Sequence, residues 1–218
     1  MSFKERLVSR LNENKTSAVS RIALLGADQY TDPTTWKNDV FSHIRSEKDH
    51  FVHTWTDIGF ESEATDSLVQ DRFDVSEWGR NLARQRYRDD RLYDEFGYEH
   101  LEFAYSLMRA AYIKTRHEMK TNRKYDIVVF SKGPLKNPLT IIPERGVVYG
   151  DISFNAPEMA FSVGLDCFYA DSETFDKAAH FARFIPSIHK TDVREPNPTI
   201  ETAFHYHLAQ LHININQA

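Results

Sequence analysis

The stretch LEFAYSLMRAAYIKTRHEMKTNRKYDIVVFSKG, residues 101–133, joins a long helical pattern directly to a short apolar strand. Basic residues in the helical part lie off its apolar face, so we expect them in solvent: Arg109, Lys114, Arg116, Lys120 and Arg123. The apolar residues recur at helical spacing and predict one buried stripe: Ala104, Tyr105, Met108, Ala111, Tyr112 and Met119. Residues 125–130 are β-branched or aromatic at five of six positions, which predicts a strand covered on both faces.

The predicted strand ends in a polar corner. Ser131-Lys132-Gly133-Pro134 follows it and carries a turn signal. Ligands of open α/β sheets bind just outside the carboxyl ends of the strands. We therefore expect Ser131 and Lys132 to lie where the chemistry of this protein takes place.

Further strands and helices alternate along the rest of the chain. Short apolar runs predict strands at 21–26, 50–57, 146–151 and 166–170. Apolar spacing predicts helices at 1–18, 34–44, 172–184 and 199–211, with Asp171 or Ser172 as the N-cap of the third. The polar segment 58–97 is interpreted as a solvated helix with paired charges, although its arginines could also meet a phosphate. This alternation predicts an α/β fold with a mostly parallel central sheet flanked by helices.

The domain organisation predicted from this pattern is simple. No internal repeat, low-complexity segment or convincing linker interrupts the chain of 218 residues, whose length suits one well-formed core. We expect a helical flank at 1–20 and a single α/β domain at 21–218.

Composition excludes several broad classes of protein. The formal charge of −5 argues against a surface that is basic throughout, although a local basic groove is compatible with it. A single cysteine, Cys167, excludes an intrachain disulfide framework, and its apolar neighbours predict an inert core thiol. We find no signal peptide or membrane-spanning run, so a cytoplasmic protein is expected.

Four acidic residues stand at the ends of predicted strands: Asp28, Asp57, Asp151 and Asp166. Each alone is explained as a turn residue. Together on one sheet edge they suit ribose hydroxyls, a divalent cation or an acceptor that loses a proton. Trp55 and Asp57 are placed at the same edge by the strand 50–57.

Histidine offers weaker candidates. His205 and His207 are separated by two positions on a predicted helix and do not share a face, so a metal site with His212 is disfavoured. His53, inside a predicted strand, is better explained as a hydrogen-bonded core residue.

Several short motifs follow one another in a recognisable order between residues 21 and 211. They are Val52-His53-Thr54-Trp55, Tyr105-Ser106-Leu107-Met108-Arg109-Ala110, Tyr125-Asp126-Ile127-Val128, Asp166-Cys167-Phe168-Tyr169-Ala170-Asp171-Ser172, and a last helix with Glu201. In this order they resemble the small glycosyltransferase-like proteins of bacterial polysaccharide clusters and large phage or viral genomes. The resemblance implies a Rossmann-like GT-A-type fold, an enzyme that uses a nucleotide-diphosphate sugar as donor, and, for a phage protein, a location in the host cytoplasm.

The resemblance also implies roles for particular residues. Asp166 is implied as the general base or acceptor-binding acid. From its charge and position we expect Lys132, with Arg109, to neutralise the departing diphosphate. Glu201 is implied to contact the acceptor. The implied donor-binding set is Gly26, Ala27, Asp28, Trp55, Asp57, Arg109 and Ser131.

One departure from the family pattern concerns the metal. The family places an Arg-x-Arg-x-Asp pattern just after the Tyr-Asp-x-Val strand, whereas this chain continues with Val129-Phe130-Ser131-Lys132-Gly133 and has no carboxylate there. Three readings stay open: Lys132 replaces the metal, Asp151 restores a metal-binding carboxylate, or the chain is an inactive relative. A divalent cation as cofactor is therefore left open.

The acceptor is open as well. The resemblance favours a glycan hydroxyl, and a hydroxymethylated base in phage DNA is the second choice. A DNA acceptor requires a basic groove, for which residues 80–91 and 114–124 are the candidates. The alternative from another class is a non-catalytic nucleotide- or sugar-binding module. Oligomeric state and sugar identity are not predicted.

Overall fold

A computed structural model describes residues 21–27, 47–57, 64–86, 98–132, 143–155, 160–185 and 199–217 of the protein. Within these ranges the strands are β1 (Arg21–Ala27), β2 (Glu47–Trp55), β3 (Asp66–Gln70), β4 (Ile127–Ser131), β5 (Val147–Asn155), β6 (Ala160–Ala170) and β7 (Asn214–Gln217). The helices are α1 (Val75–Arg86), α2 (Tyr98–Thr121), α3 (Ser172–Ala179), α4 (Phe181–Phe184) and α5 (Ile200–Gln210). The predicted helices at 1–18 and 34–44 lie outside the described residues.

The seven strands form one mixed sheet in the order β3-β2-β1-β4-β6-β5-β7. Neighbouring strands from β3 through β4 are parallel, and β5 and β7 are also parallel to each other. β6 runs antiparallel to both of its neighbours, β4 and β5, so it is the single reversed strand. The predicted α/β class and mostly parallel sheet are confirmed, and the architecture is compatible with a Rossmann-like fold.

The strand order reverses direction between β1 and β4. From β1 the chain builds outward through β2 and β3, then returns to place β4 on the other side of β1. Such a topological switch point leaves a crevice at the carboxyl ends of the two strands, which is where open α/β sheets bind ligands. Here that crevice is bordered by Ala27 at the end of β1 and Ser131 at the end of β4.

The central strands are buried on both faces. On one face, α2 packs across β1, β2 and β3, and α5 packs on β6. Phe168 ties this side together, because its ring stacks on Phe175 at 5.0 Å and lies 5.2 Å from Phe204 and 5.8 Å from Phe130. Buried side chains also line the opposite face: Ile22, Leu24, Ile127, Val129, Val147, Tyr149 and Tyr169. Continuous apolar runs at 21–27 and 127–130 were the correct signal for these strands.

Helix α2 spans the sheet from its carboxyl edge to its amino edge. Phe103 near its start packs on Phe130 near the end of β4, with ring centroids 5.2 Å apart. The chain leaving α2 joins the beginning of the sheet, where Asp126 N–H donates to the carbonyl of Arg21. A helix of 24 residues is about 36 Å long. The basic residues after position 114 therefore lie far from the carboxyl edge.

Lys114 contradicts its predicted solvation, because its side chain is fully buried between α2 and α3. Its ammonium lies 3.0 Å from carboxylate oxygens of both Glu118 and Asp176, and it donates to Ser172. Ser172 in turn donates to Glu118 at 2.7 Å. Helical spacing placed Lys114 off the apolar stripe correctly, but the packing of α3 on that side of α2 could not be seen locally.

Two residues of the predicted stripe are also corrected. Tyr112 is 56% exposed and Met119 is 79% exposed, so the buried face of α2 is rotated away from both. The other four stripe residues are buried as predicted. Glu118, the residue before Met119, is buried, so the exposure of Met119 reflects the side of α2 on which it lies.

Other differences concern element boundaries. Strand β3 lies within the segment 58–97, which the sequence predicts as helix, and among the described residues of that segment only α1 is helical. β6 begins at Ala160, ahead of the predicted residue 166, and the predicted helix 172–184 is divided into α3 and α4. Asp171 is the N-cap of α3, and its Oδ1 accepts from the N–H groups of Glu173 and Thr174. No helix in the described ranges is long and apolar enough to cross a membrane.

The buried cluster around Lys114 leads to a prediction about stability. Lys114→Ala leaves Glu118 and Asp176 without their cation, and losing one partner of a buried ion pair costs about 3–5 kcal/mol. We expect a decrease of this size in the free energy of unfolding, measured by urea denaturation. Lys120→Ala, at an exposed position on the same helix, should change it by less than about 0.5 kcal/mol. Equal effects of the two substitutions would contradict the structural role of Lys114.

Candidate functional site

Lys132 and Asp166 meet at the carboxyl edge of β4. The backbone N–H of Lys132 donates to the carbonyl of Asp166 at 2.6 Å, which extends the pairing of β4 and β6 by one residue. The Lys132 ammonium is 3.3 Å from Oδ1 of Asp166. The Asp166 side chain is 86% exposed and that of Lys132 is 27% exposed. The two residues predicted to be catalytic thus form one ion pair that is open to solvent on the carboxylate side.

An irregularity in β6 presents Asp166 at this edge. Gly150 pairs with Phe168, and Ile152 pairs with Val163. Between these two pairs β5 advances by two residues while β6 advances by five, so β6 bulges here. The extra residues of this bulge include Asp166. Bulges bend a strand and redirect side chains, and they are frequent beside functional sites. The sequence showed an acid in an apolar run but gave no sign of the bulge.

The Lys132 side chain is positioned by the aromatic core. Its ammonium lies 5.0 Å from the centroid of the Phe103 ring, a distance at which a cation and an aromatic face attract each other. Phe103 is itself packed on Phe130. The first turns of α2 therefore support the cation at the end of β4.

Ser131 and Cys167 lie opposite each other just inside the edge. Ser131 is 3% exposed and hydrogen-bonds to the Cys167 thiol. Burial raises the pKa of Cys167 to about 11, opposed by the bond to Ser131 and assisted by the negative charges of Asp151 and Asp166. The thiol is therefore protonated at neutral pH and a poor nucleophile, in agreement with the prediction of an inert cysteine.

Asp151 approaches the same group of residues from β5. It follows Gly150, which lies opposite Phe168, and Phe168 lies opposite Phe130 of β4. Asp151 is thus level with Ser131 along the strands. Its side chain is exposed, and its Oδ1 accepts from the Gln217 amide at 3.3 Å. Tyr149, two residues before Asp151, belongs to the buried face opposite α2, whereas Lys132 contacts Phe103 of α2. Because side chains alternate along a strand, Asp151 and the Lys132–Asp166 pair lie on opposite faces of the sheet.

The predicted donor-binding residues of β1 lie across the switch point from Lys132. Gly26 and Ala27 end this buried strand, and Leu25 just before them pairs with Phe130. The two strands end one or two residues after the Leu25–Phe130 pair, so their carboxyl ends border the same crevice. Asp28, predicted for the same role, lies outside the described residues.

Trp55 and Asp57, at the end of β2, have different surroundings. Trp55 is fully buried and stacks on Tyr105 at 5.9 Å, so its ring belongs to the core. Asp57 is exposed, and its Oδ2 accepts from Nε of Arg72 at 3.0 Å. Arg72 also pairs with the buried carboxylate of Glu102, in the first part of α2.

Sequence reasoning did not single out Arg72 and Glu102. The available signal was an acid, Glu102, beside the apolar residues that begin α2. Its Oε1 is buried and has no hydrogen-bond partner among the described residues, and the same holds for the indole Nε1 of Trp55. The end of β2 is thus a second polar group of side chains, separate from the pair at Lys132.

Arg109 lies beside β2, away from Lys132. Its guanidinium is 5.4 Å from the Tyr112 ring, and its charge helps to lower the pKa of His53. His53 is fully buried and bonds through Nδ1 to Ser106 at 2.8 Å, so the structural interpretation of this histidine is confirmed. No contact in the described ranges joins Arg109 to Lys132, and the two residues predicted to share the diphosphate are not brought together.

Glu201 stands in the first turn of α5, which Thr199 caps by accepting from Thr202 N–H. Phe204, one turn further along, packs on Phe168, and α5 ends beside the first residue of β7 at the amino edge. The first turn therefore points toward the carboxyl edge, on the same side as Asp166. This places Glu201 toward the carboxyl edge of the sheet.

A protein-held divalent cation does not fit the described residues. In that part of the chain no group of three His, Cys, Asp or Glu side chains is arranged to hold a metal ion. Asp166 has the Lys132 ammonium beside it, and Asp151 is bonded to Gln217. His207 is buried, and its Nε2 is 3.1 Å from the carbonyl of Lys177.

The basic groove suggested for DNA is only partly supported. Lys114 is buried, and the rest of 114–124 lies along the length of α2 toward the amino edge. Arg116 pairs with Asp66 at 2.9 Å and Arg80 pairs with Asp74 at 3.5 Å. The inclusion of Lys114 in this groove was therefore wrong. Residues 87–91 of the other cluster lie outside the described residues.

Comparison with models of protein families and with curated proteins found no match to this chain. The site has to be interpreted from its own geometry. It consists of one exposed carboxylate, Asp166, and one supported ammonium, Lys132, beside a topological switch point.

Buried histidines lead to a prediction of pH dependence. Burial lowers the pKa of His53 and of His207 from 6.5 to about 4. Between pH 6.5 and about pH 4 each of these histidines binds a proton in the unfolded chain but not in the folded chain. The free energy of unfolding therefore falls as the pH decreases through this range. Each histidine contributes up to about 1.4 kcal/mol per pH unit, and the loss is complete below about pH 4.

We expect His53→Gln to show a weaker loss of stability than the wild type when both are acidified from pH 7 to 4.5. Urea denaturation at several pH values measures this slope directly. Parallel slopes for the two proteins would contradict the burial of a neutral His53.

Proposed function

We propose that the protein is a glycosyltransferase with a GT-A-type fold, which moves a sugar from a nucleotide-diphosphate sugar to a hydroxyl acceptor. The observation that carries the proposal is the Lys132–Asp166 pair at the carboxyl edge of β4, beside the switch point between β1 and β4. The Lys132 ammonium can compensate the charge of a departing diphosphate, and the Asp166 carboxylate can accept the proton of an acceptor hydroxyl. The order of the sequence motifs and the mostly parallel sheet with one reversed strand are compatible with it.

The donor is proposed to lie across the ends of β1 and β4. Gly26 and Ala27 line the nucleoside side, and Ser131 and Lys132 line the diphosphate side. Transfer of the sugar leaves negative charge on the diphosphate, and a positioned cation stabilises that charge in the transition state. Lys132 supplies it, because its ammonium is partly exposed and held at the edge by Phe103.

The reaction requires a base for the acceptor. The acceptor oxygen forms a bond to the anomeric carbon of the sugar, the bond from that carbon to the diphosphate oxygen breaks, and the hydroxyl proton leaves. Asp166 takes the proton, since its carboxylate is exposed and adjacent to Lys132. The nucleoside diphosphate departs with the bonding electron pair, paired to Lys132.

No step of this proposal passes through a metal ion. The family resemblance implies one, yet the described carboxylates do not gather into a metal-binding group. The Lys132 ammonium lies beside Asp166 and can compensate diphosphate charge as a cation of the protein itself. A manganese requirement for donor binding would argue against this part of the proposal.

A glycan hydroxyl is the proposed acceptor. Asp166 and Glu201 give this edge an acidic acceptor side, which repels the phosphates of DNA. Salt titration of binding to hydroxymethylated duplex DNA tests the other acceptor. Binding that weakens steeply with salt would favour DNA, whereas absent or salt-insensitive binding agrees with a glycan.

A non-catalytic binding module is the second candidate. Lysine stands where the resemblance implies a metal-binding acid, and this observation favours a relative that has kept the crevice but lost the chemistry. Thermal shift with a panel of nucleotide sugars, followed by assays of sugar release and transfer, separates the two. Stabilisation without release or transfer to any acceptor would establish the module.

Substitution of Lys132 tests the proposed mechanism. Lys132→Ala should lower kcat by about 10²–10³-fold, because one transition-state charge contact is lost. Release of nucleoside diphosphate from the preferred donor measures it. Lys124→Ala, at an exposed position near the amino edge, is the matched control and should retain wild-type turnover. Wild-type kcat in Lys132→Ala would remove this lysine from the mechanism.

Substitution of Asp166 tests the base. Asp166→Asn should lower kcat by about 10²–10⁴-fold while the donor still binds, because the amide cannot accept the acceptor proton. Donor affinity is measured by calorimetry and turnover by product release. Glu144→Gln, an exposed acid preceding β5, serves as the control. A lost donor affinity with unchanged kcat would assign Asp166 to binding instead.

A further inference from the structure

We propose that β3 is the contact surface of a homodimer, in which the β3 strands of two copies of this chain pair antiparallel and join their sheets across a twofold axis. Among the described strands, β3 is the last at its end of the sheet, beyond β2. The inference is independent of the proposed function. It also gives a partner to Arg109, which the structure does not bring to Lys132.

The backbone of β3 presents hydrogen-bonding groups on its outer side. The carbonyl of Gln70 accepts from Thr56 N–H at 3.0 Å, so the backbone groups of Gln70 point toward β2. Backbone groups alternate in direction along a strand, so those of Ser67 and Val69 point away from β2. No described strand pairs with that side of β3. The N–H and C=O groups of these two residues are therefore an open template for another strand.

One antiparallel register uses all of these groups. Ser67 of each copy pairs with Val69 of the other copy, and each such pair exchanges both of its backbone hydrogen bonds. Leu68 then faces its own counterpart at the twofold axis, and Asp66 faces Gln70 of the other copy. The contact is isologous, so it closes as a dimer and does not continue into a filament.

Helix α2 places an unpaired cation beside this register. Arg116 pairs with Asp66 at 2.9 Å, so this side of α2 faces β3. Arg109 lies about two turns earlier on the same side, which is about 10 Å nearer the carboxyl edge. About three residues of a strand cover the same length, so Arg109 is level with Val69 and Gln70. The buried Nε of Arg109 has no hydrogen-bond partner among the described residues.

A second copy of the chain supplies the missing anion. In this register Asp66 of the other copy lies opposite Gln70, and therefore beside Arg109. Asp66 and Gln70 both lie on the α2 face of the sheet, because the β2 side chains that pair with them contact α2. Each Asp66 carboxylate is thus placed between Arg116 of its own chain and Arg109 of the other.

Exposed apolar side chains flank the same strand. Val69 is 45% exposed on the face opposite α2, and Tyr112 is 56% exposed on α2. Tyr112 lies about one turn before Arg116 and is therefore level with Leu68, close to the twofold axis. Pairing of two β3 strands covers both side chains. The contact is short, so we expect a weak dimer with a Kd of about 1–100 µM.

Charge reversal tests the contact. Sedimentation velocity over about 1–500 µM should show the wild type passing from monomer to dimer. Arg109→Glu places like charges at both symmetric ion pairs and should raise the dimer Kd about 100-fold, about tenfold for each pair. Arg183→Glu, at an exposed arginine of α4, is the matched control and should leave the Kd unchanged. A wild type that stays monomeric at every concentration, or equal effects of the two reversals, would overturn the inference.

A mixture of two variants separates the ion pair from an effect on folding. Asp66→Lys should also weaken the dimer, since it puts a lysine beside Arg109 of the other copy. Mixed with Arg109→Glu, it should form a heterodimer of nearly wild-type affinity, because every pair across the contact is again of opposite charge. If both variants keep the wild-type Tm and their mixture does not associate, the assigned register is wrong.

Amide hydrogen exchange identifies the edge that is used. Exchange at Ser67 and Val69 should slow as the protein concentration rises, because their N–H groups become bonded in the dimer. The N–H of Asn214 donates to the carbonyl of Gly146 of the segment before β5, so that of Ile215 points away from β5. Ile215, on the terminal strand at the opposite end of the sheet, should exchange at a constant rate. Protection of Ile215 in place of Ser67 and Val69 would assign the dimer to β7 and overturn the inference.

Discussion

The reversed strand β6 is the constraint on which the rest of the site depends. It lies between β4 and β5, antiparallel to both, so its bulge lies beside the carboxyl end of β4 and the middle of β5. A parallel strand in that position would present its own carboxyl end there instead. Because β6 runs backward, the acid in its middle, Asp166, is brought beside Lys132 and level with Asp151 on the neighbouring strand.

The core explains why this edge is rigid enough to hold charged groups. Phe168, only two residues from Asp166, packs on aromatic rings from β4, α3 and α5. Phe103 and Phe130 support Lys132 from the other side of the pair. The buried cluster around Lys114 then joins α2 to α3, and these two helices cover the same face of the sheet. The Lys132–Asp166 pair of the proposed site and the packing that stabilises the fold thus lie on the same face of the sheet.

Local pattern predicted much of the fold and part of the site. Doubly buried strands such as β4 are apolar throughout, so they were found, whereas the edge strands β3 and β7 expose polar residues and were not. The placement of Lys132 at a strand end followed from the same pattern. Its pairing with Asp166, the bulge in β6 and the burial of Lys114 against Asp176 each depend on contacts between distant parts of the chain. Such contacts leave no periodicity in the sequence.

The central claim is that a nucleotide sugar binds across the ends of β1 and β4 with its diphosphate against Lys132. A crystal structure of the protein with the nucleotide sugar that stabilises it most tests this directly. The account predicts a diphosphate oxygen within hydrogen-bond distance of the Lys132 ammonium and the anomeric carbon facing Asp166. A nucleotide bound at another edge of the sheet, or a diphosphate held through a metal ion away from Lys132, would contradict it.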